Sequence, residues 1–410
     1  MSRPALSAVT PSQRFRLLDV LRGFAILGIL LINVHFYSRP IYAVFRDREG
    51  SAGPIDQIIQ AATMFLVAEK FFSILSVLFG IGMAILFERA LDKGASFLSL
   101  YLRRLVGLFA IGITHALTLY SGDFIGNYAV LGLFLIFFSK ARPRTLLAWS
   151  AITLLVPCLM MAPGLHSRPP ESPVGQEQQA QEARQQKRQE ALDRRIQEST
   201  RVYGHGTVSE IFRLRSREVV YQYSSLLFVG WKMFSMFLFG LWCWRTGLVK
   251  SIEHRLPFVR LVMWISLVIG LVGCSLSLRG EMAAADQGAA MQLAAFVGQE
   301  LGAPALGIFY MCAITLLYFS GLGRRLLGAL APVGRMAMSN YVFQSIVCTS
   351  IFYSYGLGLY DRTTYGENLL LALGVFALQL IVSHAWLRRF SFGPLEWVLR
   401  SFVYLKRPAA

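Results

Sequence analysis

Long uncharged stretches constrain this chain more than any other feature. FAILGILLINV at 24–34 and FFSILSVLFGIGMAILF at 71–87 hold no Asp, Glu, Lys or Arg. A run of about 18 or more mostly apolar residues is long enough to cross the ~30 Å hydrocarbon layer as a helix. The 410 residues are 55% hydrophobic and only 15% charged, whereas soluble domains average about 45–50% apolar and about 25% charged residues. A soluble enzyme, a secreted disulfide scaffold and a disordered chain are therefore excluded. Inside lipid every backbone N–H and C=O must be satisfied within its own segment, so the expected fold is all-α, a polytopic membrane protein of about ten spans. They are expected near 17–37, 60–87, 102–120, 124–139, 145–163, 225–245, 258–278, 300–319, 334–355 and 367–387, with the fourth short for a bilayer. Glycines within them (Gly80, Gly82, Gly107, Gly112, Gly126 and Gly132) suit close helix packing. The first sixteen residues lack an apolar signal region and no small-residue cleavage pattern follows, so the first span is expected to be retained.

The net charge of +17 at first suggests a nucleic-acid partner. Placing the charges on the spans changes that. With a cytoplasmic N-terminus, the inner segments carry 23 Lys and Arg, from Arg3, Arg14, Arg16 and Arg22 through to Lys406 and Arg407, against five acidic residues. The short outer loops carry five basic residues: Arg39, Arg46, Arg48, Arg279 and Arg362. The positive-inside rule then predicts both termini in the cytoplasm. The excess charge is an orientation signal with the anionic bilayer surface as its partner, and no nucleic acid is expected. Residues 1–163 and 225–410 read as two five-helix halves, joined by an external stretch at 164–224. That stretch is Gln- and Arg-rich, with ten basic and eight acidic residues, and is read as a spacer more than a partner-binding element. Its end, EIFRLRSREVVYQY, is weakly amphipathic and suited to a membrane surface. The five cysteines sit in apolar segments without C-x-x-C or Cys/His spacing, so neither a metal site nor a disulfide framework is expected; no covalently bound cofactor is expected. Oligomeric state is left open.

Ionisable residues within spans are costly and are functional candidates by default. The topology puts Asn33 and His35 at the outer end of the first span, Glu69 and Lys70 in the outer part of the second, and His115 in the last turns of the third. Asp123 caps the outer end of the third span, Lys232 lies about two turns into the sixth, and Glu300 opens the eighth. All fall in the outer half, so the expectation is one outward-facing polar cavity. His35, His115, Glu69 and Asp123 are its candidate catalytic groups; Asn33, Lys70, Lys232 and Glu300 are candidate substrate ligands. The bland alternative is snorkelling or helix capping at the interface. A second set lies inside: Asp19 and Arg22 share a face at i,i+3, while Arg335 and Ser339 open the ninth span, followed by Asn340 and Gln344. Arg22 and Arg335 suit phosphate clamping, with Ser339 beside them as a third cofactor-site candidate. Asn340 and Gln344 are further substrate-binding candidates.

The motifs LLDVLRGFAILGILLINVHFYS, EKFFSILSVLFGIGMAILFERA, YLRRLVGLFAIGITHALTLYSGDFIGNYAVLGLFLIFF and the closing GRMAMSNYVFQSIVCTSIFYSYGLGLY…SHAWLRRFSFGPLEWVLRS resemble the YeiB-like family of bacterial membrane proteins, domain of unknown function 418. More distantly, LDVLRGFAILGILLIN is similar to the opening of transmembrane acyltransferases, both the acyltransferase-3 type and the heparan-glucosaminide type. That resemblance implies an acyl-CoA donor on the cytoplasmic side and a polar residue ending the first helix, a slot held here by Asn33. The His of the acyltransferase-3 proteins appears two residues later, as His35, and the loop in which the heparan-type enzymes carry their catalytic His has none here. The favoured reading is an acyltransferase of the bacterial inner membrane, moving an acyl group from a cytoplasmic acyl-CoA to an external acceptor. A proton-coupled transporter or flippase is the alternative, and a structural or sensory membrane protein the third.

Overall fold

A computed structural model describes residues 15–44, 53–166, 174–282 and 289–407. Every regular element among them is helical. In chain order they are α1 (Arg16–Ser38), α2 (Pro54–Leu66), α3 (Lys70–Asp92), α4 (Phe97–Thr118), α5 (Ile125–Leu135), α6 (Pro143–His166), α7 (Val174–His205), α8 (Val208–Arg245), α9 (Leu256–Met282), α10 (Ala289–Phe319), α11 (Gly321–Gly328), α12 (Ala331–Arg335), α13 (Ala337–Phe352), α14 (Tyr365–Trp386) and α15 (Pro394–Tyr404). Among the described residues, eight helical stretches are long and apolar enough to cross a membrane. The fourth and ninth expected spans fall on shorter helices, Ile125–Phe138 and the 16-residue α13.

Two expected helices are broken. The second, expected at 60–87, splits between α2 and α3, where Glu69 takes a left-handed backbone conformation with φ of 67°. That region is unusual outside glycine and is held only where surroundings fix it. Here the Ser73 hydroxyl donates to the Glu69 carbonyl at 2.9 Å. The ninth, expected at 334–355, breaks at Met336, so Arg335 ends α12 instead of opening the long helix. The expected boundary at 225 is not a break: α8 runs unbroken from Val208, started by a Thr207–Glu210 capping box.

Arg22 of α1 and the C-terminal α15 show how the ends are arranged. Arg22, Glu396, Arg400 and Tyr404 line one cavity, so both described termini lie at one end of the bundle. We call it the terminal end and the opposite one the far end. Arg3, Arg14, Arg46 and Arg48, used in the charge argument, lie outside the described residues. The interior is built on α1, α3 and α8, with α1 packed against α12, α13 and α14. Lipid tails offer no hydrophobic drive between helices, so contact depends on close approach. Gly80 and Gly240 provide it where α3 meets α8. A Cβ on Gly80 would sit 2.0 Å from the Phe237 carbonyl oxygen, and one on Gly240 2.0 Å from that of Val77.

Candidate active site and an arginine cavity

His115 lies in the last turn of α4 and is buried with a side-chain exposure of 2%. Its Nδ1 is 2.9 Å from Asp123 Oδ1, and its Nε2 is 2.7 Å from Ser345 Oγ on α13. Ser345 Oγ is also 2.6 Å from the Tyr37 hydroxyl on α1. Asp123 is fixed on its other side: Oδ2 accepts the Gly126 N–H at the start of α5, at 2.6 Å. The positive end of a helix favours that carboxylate. Sequence reading put Asp123 at the end of the third span, whereas it caps the start of the next helix. Gly112 makes room for it, since a Cβ there would meet the Gly126 nitrogen at 2.2 Å and Asp123 Oδ2 at 2.6 Å.

Hydrogen-bond bookkeeping orders the chain. A carboxylate only accepts, so His115 carries a proton on Nδ1; in the neutral tautomer with that proton, Nε2 is the acceptor. Ser345 must then donate to Nε2. A hydroxyl has one proton, so the Tyr37 contact is Tyr37 donating to Ser345. The series is Tyr37, Ser345, His115, Asp123, each donating to the next.

The start of α8 clamps this centre. Arg215 donates to the Thr118 and Leu117 carbonyls that end α4, three and two residues beyond His115. Gln222 donates to the Asp123 carbonyl at 2.8 Å. Above them, Tyr203 of α7 donates to Glu218 at 2.6 Å and packs on the rings of Tyr353 and Tyr360. Burial, then the nearby Glu218 charge, pushes the Tyr203 hydroxyl well above its ordinary value. The end of α7 is therefore a docked cap, which the spacer reading did not anticipate.

The other far-end candidates go elsewhere, so the expected single cavity is not formed. Lys232 Nζ lies 2.7 Å from Glu69 Oε2 and 2.7 Å from Glu300 Oε1. Its side chain is 3% exposed, and the Glu300 Oε2 is buried without a partner among the described residues. Glu300 lies well inside α10 instead of opening a helix. Lys70 donates to the Met64 carbonyl across the α2–α3 break at 3.1 Å. Glu69, Lys70, Cys274 and Gln299 line a cavity of about 280 Å³ beside this break. The His35 ring packs at a 40° tilt against Tyr365 of α14, with ring centroids 4.6 Å apart. Its Nδ1 and the Asn33 Nδ2 are buried without partners among the described residues. The physical reason for the separation is helical phase: His35 and Tyr37 are two residues apart and face different neighbours.

Asn340 and Gln344 are spent largely on helix packing. Gln344 donates to the Ile26 carbonyl and to Gln379, while Asn340 donates to the Val333 carbonyl and to Ser383. Gln344 Oε1 alone remains buried without a partner among the described residues.

The terminal end holds a cavity of about 360 Å³ lined by Arg22, Arg89, Arg104, Arg335 and Arg400, with Asp19 and Glu396. Arg22 pairs with Asp19 at 2.8 Å, as the i,i+3 spacing implied. Arg335 donates from Nη2 to the Ser391 carbonyl, and its Nε is buried with no partner among the described residues. Arg104 lies over the Phe79 ring at 5.3 Å, under Gly82, without a carboxylate partner among the described residues. Ser339 is occupied by Glu396, which also receives the Met338 and Ser339 N–H groups that start α13. Burial pushes the Glu396 carboxyl above the usual carboxylate range, against the pull of the Ser339 hydroxyl and these N–H donors. Among the described residues no group of three His, Cys, Asp or Glu side chains forms a metal site.

Fold and site together define a class: a multi-span helical membrane protein with a histidine–aspartate pair buried against a serine, and an arginine-lined cavity at the terminal end. The chain belongs to the family described as protein of unknown function (DUF418), whose model matches residues 243–406. It is 35% identical to the uncharacterized protein YxaH of Bacillus subtilis (strain 168), over 98% of this chain and 97% of that one. It is 28% identical to the uncharacterized protein YeiB of Escherichia coli (strain K12), over 93% and 94% of the two chains. An uncharacterized 39.9 kDa protein from the amylase 3′ region of Bacillus acidopullulyticus is 27% identical over 98% of this chain and 97% of its own. No solved structure matches.

Proposed function

We propose that this protein is a transmembrane acyltransferase of the bacterial inner membrane, with both termini in the cytoplasm. The observation that carries the reading is His115, oriented by Asp123 and held at 2.7 Å from a hydroxyl. A histidine ordered by a carboxylate is the arrangement general-base catalysis requires. The base then serves a buried site from which water is excluded, so acyl transfer is favoured over hydrolysis. The arginine cavity suits the phosphates of an acyl-CoA-type donor, because guanidinium groups pair with phosphate in a fixed fork. Met338 lines that cavity, and Ser345 lies seven residues further along the same helix, about 10 Å at 1.5 Å per residue. The acceptor, a hydroxyl or amine, approaches from the far end.

A transporter is the second reading, favoured by one feature. A buried Lys232 joins Glu300 and the part-exposed Glu69 in an ion group at a helix break, the kind of discontinuous helix that holds substrates in carriers. Purified protein in vesicles, given acyl-labelled acyl-CoA, separates the two. Acyltransfer appears as thioester loss that His115→Ala abolishes. Movement of an unaltered solute, lost in Glu69→Gln, would favour transport. No CoA binding and no thioester loss would overturn the acyltransferase reading.

A further inference from the structure

Ser345 lies where a nucleophile would, not merely where a packing hydroxyl would. Small hydroxyls in apolar helices ordinarily donate back to the carbonyl four residues earlier, as Ser73 and Ser76 do on α3. Ser345 instead directs its proton to His115 Nε2 at 2.7 Å and accepts the Tyr37 proton at 2.6 Å. Its contact with the Tyr341 carbonyl is the longest of the three, at 3.4 Å. It has no solvent exposure.

We infer that Ser345 is the covalent acyl carrier of this protein, and that Tyr37 donates the hydrogen bond to the oxyanion formed on the way. The inference rests on the acyltransferase reading and assigns it a double-displacement route. In the first half, Ser345 Oγ attacks the thioester carbonyl while His115 Nε2 takes the hydroxyl proton. The carbonyl oxygen becomes an oxyanion, and the Tyr37 hydroxyl, released from Ser345, donates to it. The C–S bond then breaks, the thiolate takes the proton from His115, and an acyl ester remains on Ser345. In the second half an acceptor hydroxyl or amine gives its proton to His115 and attacks the ester. The ester C–O bond breaks, and Ser345 recovers its proton. No oxidant, reductant or metal is needed. Burial gives the ester its lifetime, because water does not reach it before the acceptor does. The two ends of the protein thus never need to hold donor and acceptor at once.

The test uses the full-length protein in detergent or vesicles and two probes. An alkyl fluorophosphonate reads the nucleophile without a donor: Oγ displaces fluoride and the proton passes to His115. Intact and peptide mass spectrometry should place one phosphonyl adduct on Ser345, absent in Ser345→Ala and reduced at least 100-fold in rate in His115→Ala. Acyl-CoA without acceptor should leave a one-to-one acyl adduct on the same peptide. Ser345→Cys should carry the acyl group as a thioester, cleaved by neutral hydroxylamine where the wild-type ester resists. That variant keeps the test informative if Ser345→Ala does not fold. Thioester consumption with acceptor present, no adduct with either probe, and activity of Ser345→Ala within tenfold of wild type would overturn the covalent route while leaving acyl transfer intact. An adduct with the fluorophosphonate but none with acyl-CoA, and no thioester loss, would keep the nucleophile and overturn the acyl-CoA reading instead.

Discussion

Asp123 acts on His115 without touching a substrate, so its removal has a distinctive expected signature. Asp123→Asn keeps the size of the side chain but can donate to Nδ1, which moves the ring proton to Nε2 so that Nε2 no longer accepts. By analogy with serine-protease triads the loss in kcat is expected to approach about 10⁴-fold. It should exceed the loss in Tyr37→Phe, which removes one donor and keeps the base. Steady-state kinetics of the two variants checks the order. Lys232 makes a stability argument of another kind. Replacing it by Met strands Glu69 and Glu300 beside each other; breaking a fully buried pair costs about 3–5 kcal/mol, and solvent at the part-exposed Glu69 lowers that here. Thermal unfolding in detergent should show Lys232→Met well below wild type. The triple change with Glu69→Gln and Glu300→Gln should recover most of the difference, since no charge is then left unpaired. His115, Asp123 and Lys232 were legible in the sequence because charge is rare within spans. Ser345 and Tyr37 were not, because one more hydroxyl in an apolar helix carries no pattern of its own. Arg215 was hidden for the opposite reason: it sits in a stretch dense with charge.

Elements hold the centre in place through close approaches that only glycine allows. Gly112→Ala puts a methyl within 2.2 Å of the Gly126 nitrogen and 2.6 Å of the Asp123 carboxylate. Overpacking of this kind costs about 1–3 kcal/mol, and here the displaced group orients the base. Activity should therefore fall more steeply than the melting temperature, whereas Gly240→Leu, at the α3–α8 contact, should lower both together. Parallel activity and unfolding measurements distinguish the two. Eight of the ten expected spans match helices long and apolar enough to cross a membrane among the described residues, but the two breaks were not equally readable. Pro332 and Gly334 precede the one at Met336, whereas no Gly or Pro marks the turn at 67–69. That turn is bridged locally by the Lys70 bond to Met64 and held from a distance by the Lys232 bond to Glu69. The long polar stretch was read as a spacer, and its docking was not legible, because it depends on Tyr203 meeting Tyr353 and Tyr360 from a distant part of the chain.

At the scale of the whole molecule, the bundle has two chemically different ends. Five arginines line the cavity at the terminal end, and the histidine centre lies beneath a tyrosine-rich cap at the far end. The expectation of one shared polar cavity failed because a hydropathy profile gives depth and not azimuth: residues at equal depth on different helix faces need not meet. Depth was enough to place both termini together. A reporter active only in the cytoplasm should give a signal from either terminus, and signal from one alone would contradict that arrangement. The central claim, acyl transfer at His115 from a donor held by the arginine cavity, is tested most directly by thioester consumption in wild type, His115→Ala and Arg104→Ala. The expected result is a loss of about 10³-fold or more in kcat at nearly unchanged KM for His115→Ala. For Arg104→Ala the expected result is a rise in KM of about tenfold or more with kcat largely retained, since a hydrogen bond to a charged group is worth about 1.5–3 kcal/mol. Equal consumption by wild type and His115→Ala, or none by any of the three, would contradict it.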